Sequence, residues 1–318
     1  MCEKATRLHR PALYRRWVRR VLLIFVMAAA GALLVPGRAT AGPITFSSAL
    51  PVADEELVFR QQLVWRRSHD DPSNKDRRLD VVAAPSVLAY GLHQRVTVFG
   101  ALPFLYKRLE LETPKGTKTR STSGFGDMKA FVRATALQFD AKGRTARVAA
   151  SGGLKLPTGA DDEADELGRL PQPLQLGTGS WDPFGGLIFT WQTLHWEFDT
   201  AVSYWFPTEA NDFRAGDEVR ANASFQYRVA SIPKSGGGVP SFLYVVAESN
   251  FRWADKDVVV GKPNPDSGGT TLHLDPGIQW VHKRWVLETI VQMPTVQSLN
   301  GNALENDFIA RLSFRAKF

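Results

Sequence analysis

Two absences constrain this chain most. It has one cysteine, Cys2, and outside its first forty residues it has no apolar run long enough to cross a bilayer as a helix. A single thiol next to the start methionine excludes a disulfide framework, a cysteine nucleophile in the body of the chain and any cysteine-ligated zinc. Without a helical span, the only membrane-crossing form left is a closed barrel, because lipid offers no partners for unpaired backbone groups. Phosphate-binding loops, dinucleotide fingerprints and a His-Glu-x-x-His metal site are also missing, so neither a cofactor nor a metal is expected.

The amino terminus carries a signal of a different kind. Arg15, Arg16, Arg19 and Arg20 precede an apolar stretch from Val21 to Val35, and Ala39-Thr40-Ala41 supplies small residues at the cleavage positions. This is the order of a secretory signal peptide, and the stretch is too short for a transmembrane anchor, which needs about 20 residues. Residues 1–41 are therefore expected to be removed, leaving a mature chain of residues 42–318. Cleavage also changes the charge. The whole chain has 39 Lys and Arg against 32 Asp and Glu, and the leader takes eight of the bases and one of the acids. What remains is balanced, so the basic character belongs to the leader and gives no reason to expect a nucleic-acid partner.

The mature chain reads as about twelve segments separated by polar turns, only some of them alternating cleanly and the second apolar on both sides, the weak pattern of transmembrane barrel strands. They fall at about 56–67, 78–90, 95–109, 126–139, 145–156, 181–191, 196–206, 218–229, 241–253, 271–281, 284–293 and 307–318. The last shows the pattern plainly. Ala310, Leu312, Phe314, Ala316 and Phe318 fall on one side, and Arg311, Ser313, Arg315 and Lys317 on the other. An aromatic carboxy-terminal strand is the usual ending of outer-membrane barrels, and engagement of the barrel-assembly machinery through it is expected. Connections after even-numbered segments are mostly short, and those after odd-numbered segments mostly longer and polar. Short periplasmic turns and long outer loops are the barrel habit. Trp65, Tyr106, Trp181, Trp191, Trp196, Tyr204, Phe206, Trp253, Trp280 and Trp285 lie near segment ends, as interfacial aromatic girdles do. A soluble β-sandwich would also alternate, but it would bury its apolar faces and would not gather aromatics at its strand ends. The expected fold is all-β: a transmembrane antiparallel up-and-down barrel of about twelve strands in the bacterial outer membrane, in contact with its lipid and lipopolysaccharide.

If apolar faces meet lipid, the opposite faces line a lumen. Arg60, Arg133, Glu197, Asp199, Arg220, Arg228, Glu248, Arg252, Asp275 and Glu288 become candidate solute-contacting residues. Arg66, Lys129, Arg311, Arg315, Lys317 and Asp127 join them on the inner face. Charges of both signs inside a low-dielectric wall are expected to pair. Two readings follow: a polar pore with charge-based selectivity, or an internal ion-pair network that fills the lumen and holds the barrel. The five acids among Asp161-Asp162-Glu163-Ala164-Asp165-Glu166 read as a solvated loop, since their spacing is unlike a calcium loop. Lys115, Lys118 and Arg120 read as a solvated outer loop as well. Only about 14 residues lie between the cleavage point and the first strand, too few for a plug domain of the kind energised receptors carry.

Five short segments carry a family resemblance: Ala84-Pro85-Ser86-Val87-Leu88-Ala89-Tyr90-Gly91-Leu92, Ala101-Leu102-Pro103-Phe104, Gly124-Phe125-Gly126-Asp127-Met128-Lys129-Ala130, Gly153-Leu154-Lys155-Leu156-Pro157-Thr158-Gly159 and Leu176-Gly177-Thr178-Gly179-Ser180-Trp181-Asp182-Pro183. In these the chain resembles the outer-membrane family of the MetA-pathway of phenol degradation, over about Leu79 to Phe318. The resemblance implies a twelve-stranded or similar barrel that moves small molecules, with aromatic compounds a candidate class. It brings no defined set of binding residues. Read physically, the motifs are architecture: Pro157 and Gly159 stop a strand, and Gly124 and Gly126 bend the return into the fourth. The expected function is passive uptake of a small-molecule solute, with a non-conducting structural or adhesive barrel as the alternative. Catalysis is not expected. A barrel lipase would need a Ser–His pair on the lipid side, and His273, beside Asp275, is the one histidine with an inward position.

Overall fold

The computed structural model describes residues 41–113, 116–233 and 239–318. The expected leader lies outside them except for Ala41, and so does Lys115. Twelve antiparallel strands form the wall: β1 (Leu57–Ser68), β2 (Arg78–His93), β3 (Val96–Thr113), β4 (Met128–Ala141), β5 (Arg144–Leu156), β6 (Asp182–Thr193), β7 (Trp196–Trp205), β8 (Glu218–Ile232), β9 (Ser241–Ala254), β10 (Gly269–His282), β11 (Trp285–Leu299) and β12 (Phe308–Lys317). Each pairs with its sequence neighbours, and β12 pairs with β1, with Val58 opposite Lys317 and Arg67 opposite Phe308, so the sheet has no free edge. Closure leaves no unpaired edge for lipid to meet.

The wall is apolar on its outside. Leu88, Leu102, Leu187, Val202, Leu274 and Ile278 are exposed, whereas Gln62, Thr97, Thr190, Gln226, Gln279 and Ser313 are buried. A soluble sandwich would reverse this. Trp191 meets Trp196 edge-on at 5.3 Å between ring centroids, and Trp280 meets Trp285 at 4.9 Å, both beside short turns at the periplasmic end. Tyr204 and Phe206 sit together at the outer end of β7.

Two local departures have physical causes. The chain does not return from β3 through a loop. Gly116–Phe125 is a ladder partner of the outer half of β3, from Phe104 to Thr113, and only then does the chain step at Gly126–Asp127 into β4, which pairs with Val96–Ala101. The run of Thr and Ser over 117–123 alternates with basic residues and suits a strand. Farther round the wall, Pro85 cannot donate to the ladder. The pairing of β1 with β2 lapses at Gln62 and Leu63. Gln61, which interrupts the outward apolar row of β1, answers the lapse: its amide donates to the carbonyls of Gln62 and Pro85 at 3.2 and 3.3 Å, and it accepts from Ser86 Oγ at 2.7 Å. Fully buried, it presents no unpaired polar atom to lipid, where one would cost several kcal/mol, on the order of that for any amide left without a partner in hydrocarbon.

Three of the family motifs converge at the outer end. Asp127 accepts from the backbone N–H of Gly159 and of Thr178, both at 3.0 Å, and Lys155 bridges Asp127 at 3.1 Å and Asp182 at 2.5 Å. A Cβ at Gly177 would lie 2.4 Å from the Gly159 carbonyl oxygen, so glycine is required for this approach. The motifs are an architectural clasp that pins the loop between β5 and β6 over the step into β4. Beneath that loop, Leu79, Leu109, Leu170 and Leu174 form a small apolar cluster.

Candidate functional site

All ten candidate residues lie on the inner side of the wall, on β1, β4 and β7 to β11. What joins many of them is a segment the sequence reading treated only as too short to be a plug. Residues 41–52 run inside the lumen. Ile44 and Ala49 are fully buried there. The segment enters near the periplasmic ends of β10 and β11, where Ala41 packs on Val281 and Val286. It reaches mid-height at Ile44, which packs on Val246 and Ile290. It descends past Thr190, whose Oγ1 accepts from Ala49 N–H at 2.7 Å, and reaches the rim at Thr97, whose Oγ1 accepts from Val52 N–H at 3.1 Å. Both ends lie on the side of the short turns. Too short for a plug domain, the residues ahead of the first strand nonetheless occupy part of the lumen as a strap.

Side chains from both sides hold it. Glu248 on β9 accepts from the N–H groups of Ile44 at 2.6 Å and Thr45 at 3.1 Å, from the Thr45 hydroxyl, and from Ser224 at 3.0 Å. Arg133 on β4 donates to the carbonyls of Ser48 and Leu50, both at 2.6 Å. Arg60 on β1 donates to the Ile44 carbonyl at 2.5 Å, and Gln279 on β10 donates to the Gly42 carbonyl at 2.5 Å. An irregular buried backbone must find such partners, since every unmet group costs about 1–3 kcal/mol.

The pairing of charges is only partial. Glu288 is ion-paired with Arg60 at 2.5 Å and Arg315 at 3.3 Å. Arg220 and Arg252 share Glu218, which the sequence reading left out of the inner set, at 2.5 Å each. Lys317 pairs with Glu56 at 2.5 Å. Four carboxylates on β7, β9 and β10 are instead held by neutral donors: Glu197 by Gln192 at 2.5 Å, Asp199 by Thr190 and by Gln226 at 3.3 Å, Asp275 by Asn250 and by Gln292 at 3.1 Å, and Glu248 as above. Arg228 lies over the Phe242 ring at 4.9 Å. Arg133 has only carbonyl and hydroxyl partners, and its Nε has none. Lys129 has neither a hydrogen bond nor an ion pair among the described residues, and lies 4.6 Å from the Trp205 ring.

Between the strap and the wall from β1 to β4 lies a cavity of about 390 Å³, lined in part by Phe46, Gln62, Val87, Phe99, Phe131 and Arg133. The inner rings are in register. Phe99 pairs with Phe131, Phe131 with Gly153, Gly153 with Phe184, and Phe184 with Trp205, one row across five strands. Phe99 and Phe131 stack at 4.4 Å, Phe131 and Phe184 meet at 5.8 Å across Gly153, and Phe184 and Trp205 stack at 4.1 Å. Sequence reasoning missed this row. Its signal was there in the aromatic Phe131 between Lys129 and Arg133, on the face otherwise given over to charge.

In the outer loops, Arg120 is not simply solvated: it pairs with Asp165 of the acidic run at 2.7 Å. That run holds no metal-binding cluster among the described residues. His273 is buried with Nε2 unpartnered. Ser241 Oγ lies 2.5 Å from His282 Nδ1 at the periplasmic end, and no carboxylate is paired with that His among the described residues.

A closed wall, greasy outside and charged within, crossed by a strap and holding a side cavity, defines an outer-membrane β-barrel. The chain belongs to the family described as "Putative MetA-pathway of phenol degradation", whose profile matches residues 86–287. Its fold is that of an outer membrane channel from Pseudomonas putida, 14% identical, with a TM-score of 0.65 over 88% of this chain and 100% of that one. The β domain of the Bordetella autotransporter BrkA is a more distant likeness, 12% identical with a TM-score of 0.42 over 83% of this chain and 100% of that one. No curated protein matches the chain by sequence.

Proposed function

We propose that the protein is a passive outer-membrane channel that admits small molecules to the periplasm along the free side of its strap. The observation that supports this reading best is the cavity of about 390 Å³ left between the strap and the β1–β4 wall, a volume in the range of small-ligand sites. No catalytic role is proposed: the Ser241–His282 contact has no carboxylate paired with its His among the described residues. Residues 1–41 are proposed to be the cleaved export signal, and the β12 strand ending in Phe318 the segment read by the barrel-assembly machinery. The outer hairpin bearing Lys118 and Arg120 would then face lipopolysaccharide.

Planar-bilayer recording of the purified protein tests the reading. Small, steady openings, together with swelling of protein-bearing liposomes in small solutes, are the expected result. Silence over many insertions would replace it with the second reading, a non-conducting structural barrel, which the strap's many contacts with the wall favour.

A further inference from the structure

Aromatic rings on the inside of a polar lumen are out of place unless something uses them. Phe99, Phe131, Phe184 and Trp205 are each partly exposed to the lumen, and the row is oblique to the barrel axis. Trp205 ends β7 at the outer mouth, whereas Phe99 is the fourth residue of β3 from the periplasmic end. The row is continuous only because its middle member is Gly153, where a Cβ would sit 2.3 Å from the Phe131 Cβ and from the Ala130 carbonyl oxygen. Cations attend it at both ends: Arg220 lies 4.4 Å from the Trp205 ring and Arg133 5.0 Å from Phe99.

The row ends at the cavity, and the cavity is electrically one-sided. Arg60, Lys129, Arg133, Arg315 and Lys317 line it, and no carboxylate does. Arg60, Arg315 and Lys317 are ion-paired, the first two sharing the one carboxylate of Glu288 and the third with Glu56. Lys129 and Arg133 are not, and they are the residues two places either side of Phe131, pointing to the same face. Two positions along a strand span about 6.6 Å, roughly the distance from a ring centre to an ammonium nitrogen hydrogen-bonded to its carboxylate substituent. Uncompensated charge in a low-dielectric wall is costly unless a partner arrives.

We propose that this cavity binds a small aromatic carboxylate, its ring against Phe131 and Phe99 and its carboxylate on the Lys129 ammonium. Arg133, already committed to the strap, adds its field. The inner aromatic row is the path by which such a solute descends from the outer mouth. This assignment rests on the channel reading for its meaning, but not for its test.

The test is equilibrium binding to the full-length protein in nonionic detergent, with benzoate, phenol, benzylamine and cyclohexanecarboxylate as probes. Benzoate is expected to bind saturably, at least tenfold more tightly than phenol or benzylamine and measurably more tightly than cyclohexanecarboxylate. Lys129→Gln, which breaks no described hydrogen bond, should weaken benzoate tenfold or more while leaving phenol unchanged. Phe131→Leu should narrow the gap between benzoate and cyclohexanecarboxylate. Heat-modifiable gel migration certifies that each variant is folded. Equal affinity for benzoate, phenol and benzylamine, or benzoate binding indifferent to both substitutions, would overturn the assignment. Binding without conductance sinks the channel reading and leaves the site standing; conductance without binding does the reverse.

Discussion

The two sides of the lumen solve the same problem in opposite ways. On β7, β9 and β10, Glu197, Asp199, Glu248 and Asp275 face inward and are held by neutral donors, among them the backbone N–H groups of the strap on Glu248, while Arg220 and Arg252 are taken up by Glu218. On β1 to β4 and β12, cations face inward, and the strap turns its carbonyls to Arg60 and Arg133. A peptide backbone is well suited to lie between two such walls, since it can donate to one and accept from the other. The acid wall is closed against it. The basic wall holds it at a few points and leaves the cavity. The difference teaches that the strap is a ligand of one wall and a lid over part of the other.

Removing the strap should have the largest effect. Deletion of residues 43–51 is expected to raise single-channel conductance several-fold, and an unchanged conductance would mean that the strap does not limit the path. Glu248→Ala comes next. It strips the acceptor from two strap N–H groups and the Thr45 hydroxyl. Hydrogen bonds to a charged group contribute about 1.5–3 kcal/mol each, so the strap should loosen by a few kcal/mol. Faster hydrogen exchange at the Ile44 amide and flickering openings would report it. Arg133→Gln should do less, because the loss of two hydrogen bonds is offset by relief of a buried cation without a carboxylate. If it loosens the strap more than Glu248→Ala, the contrast between the walls is wrong. Gly153→Ala forces Phe131 off its neighbour, and overpacking of this kind costs about 1–3 kcal/mol. The folded form should lose its distinct gel migration at a lower temperature.

The smallest effect lies outside the membrane, in the loop between β1 and β2. Burial alone would raise the Asp71 carboxyl, but the Arg77 guanidinium at 2.6 Å and backbone N–H groups of Arg77 and Ser73 hold it well below the usual carboxylate range. A carboxyl lowered in the folded state stabilises above its unfolded value and loses that contribution as pH falls below it. Protection of the Arg77 amide should therefore persist at pH 6 and fade in acid, and Asp71→Asn should remove the pH dependence. Conductance should not change in either case.

Much of the wall was legible because lipid imposes a period of two on every strand, so Val219, Ala221, Ala223 and Phe225 betray β8 from the sequence alone. The outer continuation of β3 and its partner Gly116–Phe125 leave the membrane, lose that constraint, and read as a loop. The strap was illegible for another reason. Its partners are far away in sequence, Glu248 lying 204 residues from Ile44, and an irregular segment carries no periodicity. The aromatic row was hidden because a row across strands depends on register, which single strands do not reveal. The ten candidates face inward, with Glu218 added beside them, but pairing was expected to be general, and Lys129, Arg133 and the four carboxylates on β7 to β10 show where burial is instead met by neutral groups or left open.

The strap goes in and comes out by the same mouth. Topologically it is a bight rather than a thread: no strand has to part for it to be withdrawn, and a tug on Gly42 from the periplasmic side peels its contacts one at a time instead of all at once. A segment that passed from one mouth to the other could leave only by dragging its free end through the whole bore. The chain thus carries a stopper that can be drawn without uncorking the membrane around it.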